Sequence, residues 1–154
     1  MVELVFVIVV IGILSAIAIP KLAASRDDAV LVKGKSQVAA IRSGIAMQKN
    51  KRLLEGKNPF IPRVLDANTS TTNNLFSGGE CGNILEYGVE GGVKDGNWEK
   101  ESADAVSPAP ANIRYKFHLE GTSVEFTYHS DTGRFDCNST SGATNADKCI
   151  ELTK

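Results

Sequence analysis

Leu4 to Ile19 reads LVFVIVVIGILSAIAI, sixteen residues without a charge. Only Gly12 and Ser15 interrupt the run of apolar side chains. As a helix it would span about 24 Å at 1.5 Å per residue. A bilayer core is roughly 30 Å thick, so the run is slightly short for an ordinary anchor. Ala16-Ile17-Ala18 fits the small-x-small pattern of a signal cleavage site. The basic stretch that should precede such a signal is missing, and an acid, Glu3, stands in its place. A carboxylate at the edge of an apolar segment is costly and usually has a partner.

Outward from this run the charge pattern changes twice. Lys21 to Arg63 carry ten Lys/Arg against three Asp/Glu, and Val64 to Lys154 carry seven against fourteen. The net charge of −1 over 154 residues therefore hides a neutral start, a basic middle and an acidic remainder. Such a division excludes a uniformly soluble cytosolic globule, a disordered acidic chain and a nucleic-acid-binding domain.

The basic middle continues the helix. Val30, Gly34, Val38, Ile41, Ile45 and Gln48 or Lys49 fall at helical spacing and form one face, with Lys33, Lys35, Arg42, Lys49 and Arg52 mostly off it. A helix from near Val2 to near Leu54 would be about 80 Å long. No domain of this size covers such a helix, so it needs partners along its length. Asp27-Asp28 and the Gly34/Gly44 pair are expected to mark bends, and Asn58-Pro59 with Pro62 to end it.

The acidic remainder holds a β signal. Ile113, Tyr115, Phe117 and Leu119 alternate with polar residues, Glu120-Gly121 makes a turn, and Val124, Phe126 and Tyr128 alternate again. A second turn at Asp131-Thr132-Gly133 leads to Phe135 and Cys137. This predicts a three-stranded antiparallel meander with one buried face. The glycines of Gly88 to Gly96 do not match a phosphate-binding loop, and Ser107 to Pro110 reads as a connector. Cys81, Cys137 and Cys149 form no CxxC pair, and their spacing leaves three pairings open.

The segment Val2-Glu3-Leu4 through Leu14, followed by Ser15-Ala16-Ile17-Ala18-Ile19-Pro20-Lys21-Leu22, resembles the N-terminal helix of type IV pilins and type II secretion pseudopilins. The resemblance covers the first 25 to 30 residues or so. It rests on an acid at the start, an unbroken aliphatic run, a mid-run glycine and a Pro-Lys-Leu exit. The family's leader and its aromatic mature start are not present, and Glu3 lies two residues nearer the start than usual. A processed or shortened chain is therefore expected.

The resemblance implies an α+β fold, a long N-terminal α-helix with its C-terminal half packed on a small antiparallel β-sheet. It divides the chain into a transmembrane or filament-core helix over 1–20, an amphipathic continuation over 21–57, and a globular head over 58–154 with its sheet at about 112–137. Glu3, Phe6, Gly12 and Pro20 become assembly residues. Glu3 would neutralise a neighbouring subunit's N-terminal ammonium, and Gly12 and Pro20 would let the helix unwind during assembly. A disulfide between Cys137 and Cys149, closing a C-terminal loop over 137–149, also follows from the resemblance.

The implied function is a structural subunit of a type IV pilus-like filament. The alternatives are a pseudopilin of a secretion or DNA-uptake machine and, more distantly, a monomeric membrane-anchored binding module. Implied partners are identical subunits in a helical homopolymer, the inner membrane before assembly, an assembly platform and a prepilin peptidase. The implied location is the inner membrane, then an extracellular or periplasm-spanning filament.

No catalytic constellation is visible, and no enzyme activity, cofactor or metal is expected. His118 and His129 read as surface residues on adjacent strands, close enough to be neighbours. Asn145 and Asp147 are too few for a calcium site. Two sequons remain. Asn68-Thr69-Ser70 and Asn138-Ser139-Thr140 each have an aspartate two residues earlier, Asp66 and Asp136. This acid-x-Asn-x-Ser/Thr pattern resembles acceptors of bacterial oligosaccharyltransferases. With 18 acids in 154 residues, finding an acid at both positions by chance has odds of about one in seventy. Asn68 and Asn138 are therefore expected to be glycosylated.

Overall fold

A single helix, α1, runs unbroken from Val2 to Leu54, 53 residues. It belongs to a computed structural model that describes residues 2–66, 74–78, 82–101, 112–139 and 145–154, without the side chains of 19–24. Gly12 and Pro20 lie within the continuous helix. Its end is set by Gly56, earlier than the expected Asn58-Pro59. Gly56 adopts φ 65°, its N–H bonds the Leu53 carbonyl at 3.2 Å, and the Lys57 N–H reaches back to the Arg52 carbonyl at 3.0 Å. That pair of bonds satisfies carbonyls the last turn would leave open, and the left-handed position favours glycine.

Four antiparallel strands follow, β1 (Trp98–Lys100), β2 (Asn112–Leu119), β3 (Thr122–His129) and β4 (Arg134–Cys137), in that spatial order. The meander of β2 to β4 is as the alternation predicts, with both expected turns. β1 extends the sheet beyond the predicted three strands and beyond 112–137, pairing Trp98 with Phe117 and Lys100 with Tyr115. A short helix, α2 (Ala146–Thr153), closes the chain where a loop was expected. Cys149 and Leu152 bury its inner face.

The core lies between the sheet and the second half of α1. Val38, Ile41 and Ile45 are buried against Tyr115, Phe117, Phe126 and Phe135. Aromatic rings fill the centre. Phe126 and Phe135 stack at 5.2 Å, and Trp98 lies 5.1 Å from Phe117 and 5.2 Å from Phe126. Burying rings of this size dominates the energy of a small head.

Gly34 and Gly44, expected at bends, are instead points of close approach. A Cβ on Gly34 would come within 2.6 Å of Leu152 and Phe117 side-chain atoms, and one on Gly44 would collide with the Ile84 carbonyl. They let the sheet and the Ile84 loop seat directly on the helix backbone.

Candidate functional site: an unpaired helix half and a seated one

The four assembly residues implied by the sequence all lie on the first half of α1. Among the described residues, this half of the helix is exposed along its length. Phe6 is 69% exposed, Ile13 60% and Ile17 67%, and a Cβ on Gly12 would meet only open space. Glu3 sits in the first helical turn, where an acid complements the positive end of the helix dipole. Pro20 belongs to the continuous helix, and its side chain is not among those described. Among the described residues no helix is long and apolar enough to cross a membrane.

Ten of the eighteen residues Val2–Ile19 are Val or Ile. Such β-branched residues lose side-chain freedom in a helix and favour it weakly on their own. An exposed apolar patch larger than a few hundred Å² marks an interaction site.

The second half of α1 has its partner within the chain. Arg42 clamps β4, its Nε donating to the Phe135 carbonyl at 3.0 Å and its Nη2 lying 3.2 Å from Asp136. Arg134 approaches the other Asp136 oxygen at 2.7 Å. The basic helix and acidic head thus meet within one molecule at Arg42. Trp98 Nε1 donates to Gln37 Oε1 at 3.0 Å, fixing β1 to the same helix. Gln48 Nε2 donates to the Asn83 carbonyl at 2.7 Å, while its buried Oε1 has no partner among the described residues.

A charged cluster missed in the sequence sits under the sheet. Asp66 is fully buried, with Lys100 Nζ 2.7 Å from one carboxylate oxygen and the Tyr115 hydroxyl donating to the other at 2.7 Å. Burial, then the nearby charge of Asp66, holds the Tyr115 phenol well above its ordinary range. The proton therefore stays on Tyr115 and the hydroxyl remains a donor. A buried ion pair is compensated only when its remaining hydrogen-bonding capacity is met, and Tyr115 meets part of it. No local pattern announces this cluster, because Asp66 and Lys100 come from separate loops and strands.

On the outer sheet face, Glu101 lies between Lys116 and Arg114, with Arg114 Nε at 3.0 Å. The Lys116 hydrogen bond lowers the Glu101 pKa and raises that of Lys116. His118 and His129 are not neighbours. His118 pairs across from Ser123 and His129 from Asn112, at opposite ends of the β2–β3 ladder. His118 Nε2 instead lies 3.2 Å from Glu99. Asn145 donates to the Ser123 carbonyl at 2.7 Å as it enters α2. Among the described residues no three His, Cys, Asp or Glu side chains gather as a metal site.

Cys137 and Cys149 form a disulfide, Cα atoms 5.9 Å apart, which ties β4 to α2. Cys81 and Asn68 lie outside the described residues. Asn138 is exposed immediately after β4. No family model, curated protein or solved structure matches this chain.

Proposed function

We propose that the chain is a structural subunit of a type IV pilus-like extracellular filament, drawn from an inner-membrane pool and held together by its N-terminal helices. The observation that carries this reading is the division of α1. One half is a finished part of a folded head, and the other is an apolar rod left exposed among the described residues. Fully burying one Val, Leu or Ile side chain contributes about 1.5–3 kcal/mol. A rod bearing more than a dozen exposed apolar side chains therefore has a strong drive to associate.

Lipid and sister helices can both cover such a surface, and Glu3 distinguishes them. In lipid the carboxylate is a cost, whereas beside a neighbour's N-terminal ammonium it gains a partner. The Cys137–Cys149 bridge accords with a head facing an oxidising compartment. Gly12 and Pro20 are the places where the rod would unwind as subunits pack.

The test is Glu3→Ala in cells that make the protein, followed by membrane and sheared-filament fractions. Glu3→Ala should remain in the membrane at wild-type amounts and vanish from the filament fraction. Equal recovery of wild type and variant in sheared filaments would overturn the role of Glu3. Electron microscopy of the same cells separates a surface pilus from the short periplasmic filament of a pseudopilin.

A further inference from the structure

We propose that Tyr87, flanked by Glu86 and Glu90, inserts into the basic groove between α1 and α2 of a second copy of this chain. The contact rests on the filament reading and adds to it a seam between the heads.

The groove is a cavity of about 310 Å³, with Lys35, Val38, Ala39 and Arg42 on the α1 side and Leu152 and Lys154 on the α2 side. Val38 and Leu152 are buried and make its floor apolar. Arg42 is already engaged with β4, at the Phe135 carbonyl and Asp136. Lys35 and Lys154 are exposed and form no ion pair among the described residues. The groove therefore offers an apolar slot beside two uncompensated ammonium groups.

The opposite edge of the head carries the reverse pattern. Glu90 to Gly92 run alongside β1. The Trp98 N–H donates to the Glu90 carbonyl at 3.2 Å, and the Gly92 N–H donates to the Trp98 carbonyl at 2.8 Å. At this edge Tyr87 is 83% exposed, the most exposed large apolar side chain beyond α1 among the described residues. Glu86 and Glu90 beside it are exposed and form no ion pair among the described residues. Lys94 and Asp95 follow in the same loop, and Asp95 accepts the Gly121 N–H at 3.1 Å. The patch is net acidic around an aromatic ring.

Topology separates the two surfaces. β1 and β4 are the two edges of the sheet. Arg42 and the Cys137–Cys149 bridge tie the groove to the β4 edge, and the Tyr87 patch borders β1. One molecule cannot bring its own Tyr87 into its own groove, but a second copy can. A contact between unlike patches repeats from copy to copy, and it gives an open helical polymer when the rotation does not close. Tyrosine suits such a slot, because its ring has an apolar body and its hydroxyl keeps a wet end. The glutamates against Lys35 and Lys154 set the orientation and disfavour like edges meeting.

The experiment puts a photo-crosslinker in the full chain, as Tyr87→p-benzoylphenylalanine, in cells that make it. The cells are irradiated, and sheared filaments are read by denaturing gel and peptide mass spectrometry. Covalent dimers should appear, with adducts on peptides that contain Lys35 to Arg42 or Leu152 to Lys154. Lys35→Glu with Lys154→Glu should lower the dimer yield about tenfold. Adding Glu86→Lys and Glu90→Lys to the same chain should restore it. Filaments that yield no dimer, or adducts elsewhere on the chain or on another protein, would overturn the contact and leave assembly through the N-terminal helices standing. Failure of the added lysines to restore the yield would overturn it as well. Cells in which this chain forms no filament would overturn both the contact and the filament reading.

Discussion

Ile13 and Ile41 sit on the same helix and meet opposite surroundings. Ile13 is 60% exposed, and Ile41 is fully buried beneath the sheet. The sequence treats the two halves differently as well. Around Ile41 one face is apolar and the flanks are basic, so the helix needs a cover on one side only. Around Ile13 every face is apolar, and no single sheet could cover it. A helix that is apolar all round is buried on all sides in its working state. The head completes one half, and among the described residues nothing covers the other.

The sharpest way to break this comparison is a matched pair of truncations. Trp98→Ala removes a fully buried ring from the head and should cost about 3–5 kcal/mol, measured by chemical denaturation of detergent-solubilised protein. Phe6→Ala removes a ring of comparable bulk from the exposed half and should leave head stability within about 0.5 kcal/mol. If Phe6→Ala destabilised the head as much as Trp98→Ala, the division of α1 would be wrong.

Asp66→Ala should have nearly as large an effect as Trp98→Ala. Removing one partner leaves the Lys100 ammonium in the interior, a loss of about 3–5 kcal/mol. Tyr115 adds a pH signature. Its pKa is raised on folding, so the stabilisation is complete below the ordinary tyrosine range. It is lost as pH rises past about 10, where the unfolded chain ionises and the folded one resists. Ultraviolet titration should show a tyrosine that ionises only as the head unfolds. A phenol at Tyr115 that titrates normally in the native state would contradict the buried arrangement.

The smallest expected effect belongs to Arg42→Ala. Its guanidinium and Asp136 are each about a third exposed, so the loss should be about 1 kcal/mol or less. A loss several times larger would mean that Arg42, rather than the aromatic core, holds the head on the helix.

The legible parts of the fold are those with long periods. The face Gly34, Val38, Ile41, Ile45 and Gln48 repeats over many turns, and β2 and β3 alternate over eight residues each. β1 is three residues long, too short for an alternation to register. α2 is only eight residues long and follows a polar stretch, so it resembles a loop until Cys149 and Leu152 are seen to be buried. Gly34 and Gly44 look like weak points along a helix, and only the neighbouring Phe117, Leu152 and Ile84 reveal them as seats. The candidate site divides in the same way. Glu3 and the aliphatic run are local signals. The Arg42 clamp and the Asp66–Lys100–Tyr115 cluster join residues far apart in the chain and have no local trace.

What covers the first half of α1 decides whether this chain works as a filament subunit. High-resolution electron microscopy of sheared native filaments measures this directly. A filament subunit should appear as a polymer of this chain with Val2–Ile17 packed against sister helices along a dry axis and the heads outside. Filaments that lack this chain, or that hold it with the Val2–Ile17 side chains facing solvent, would contradict it.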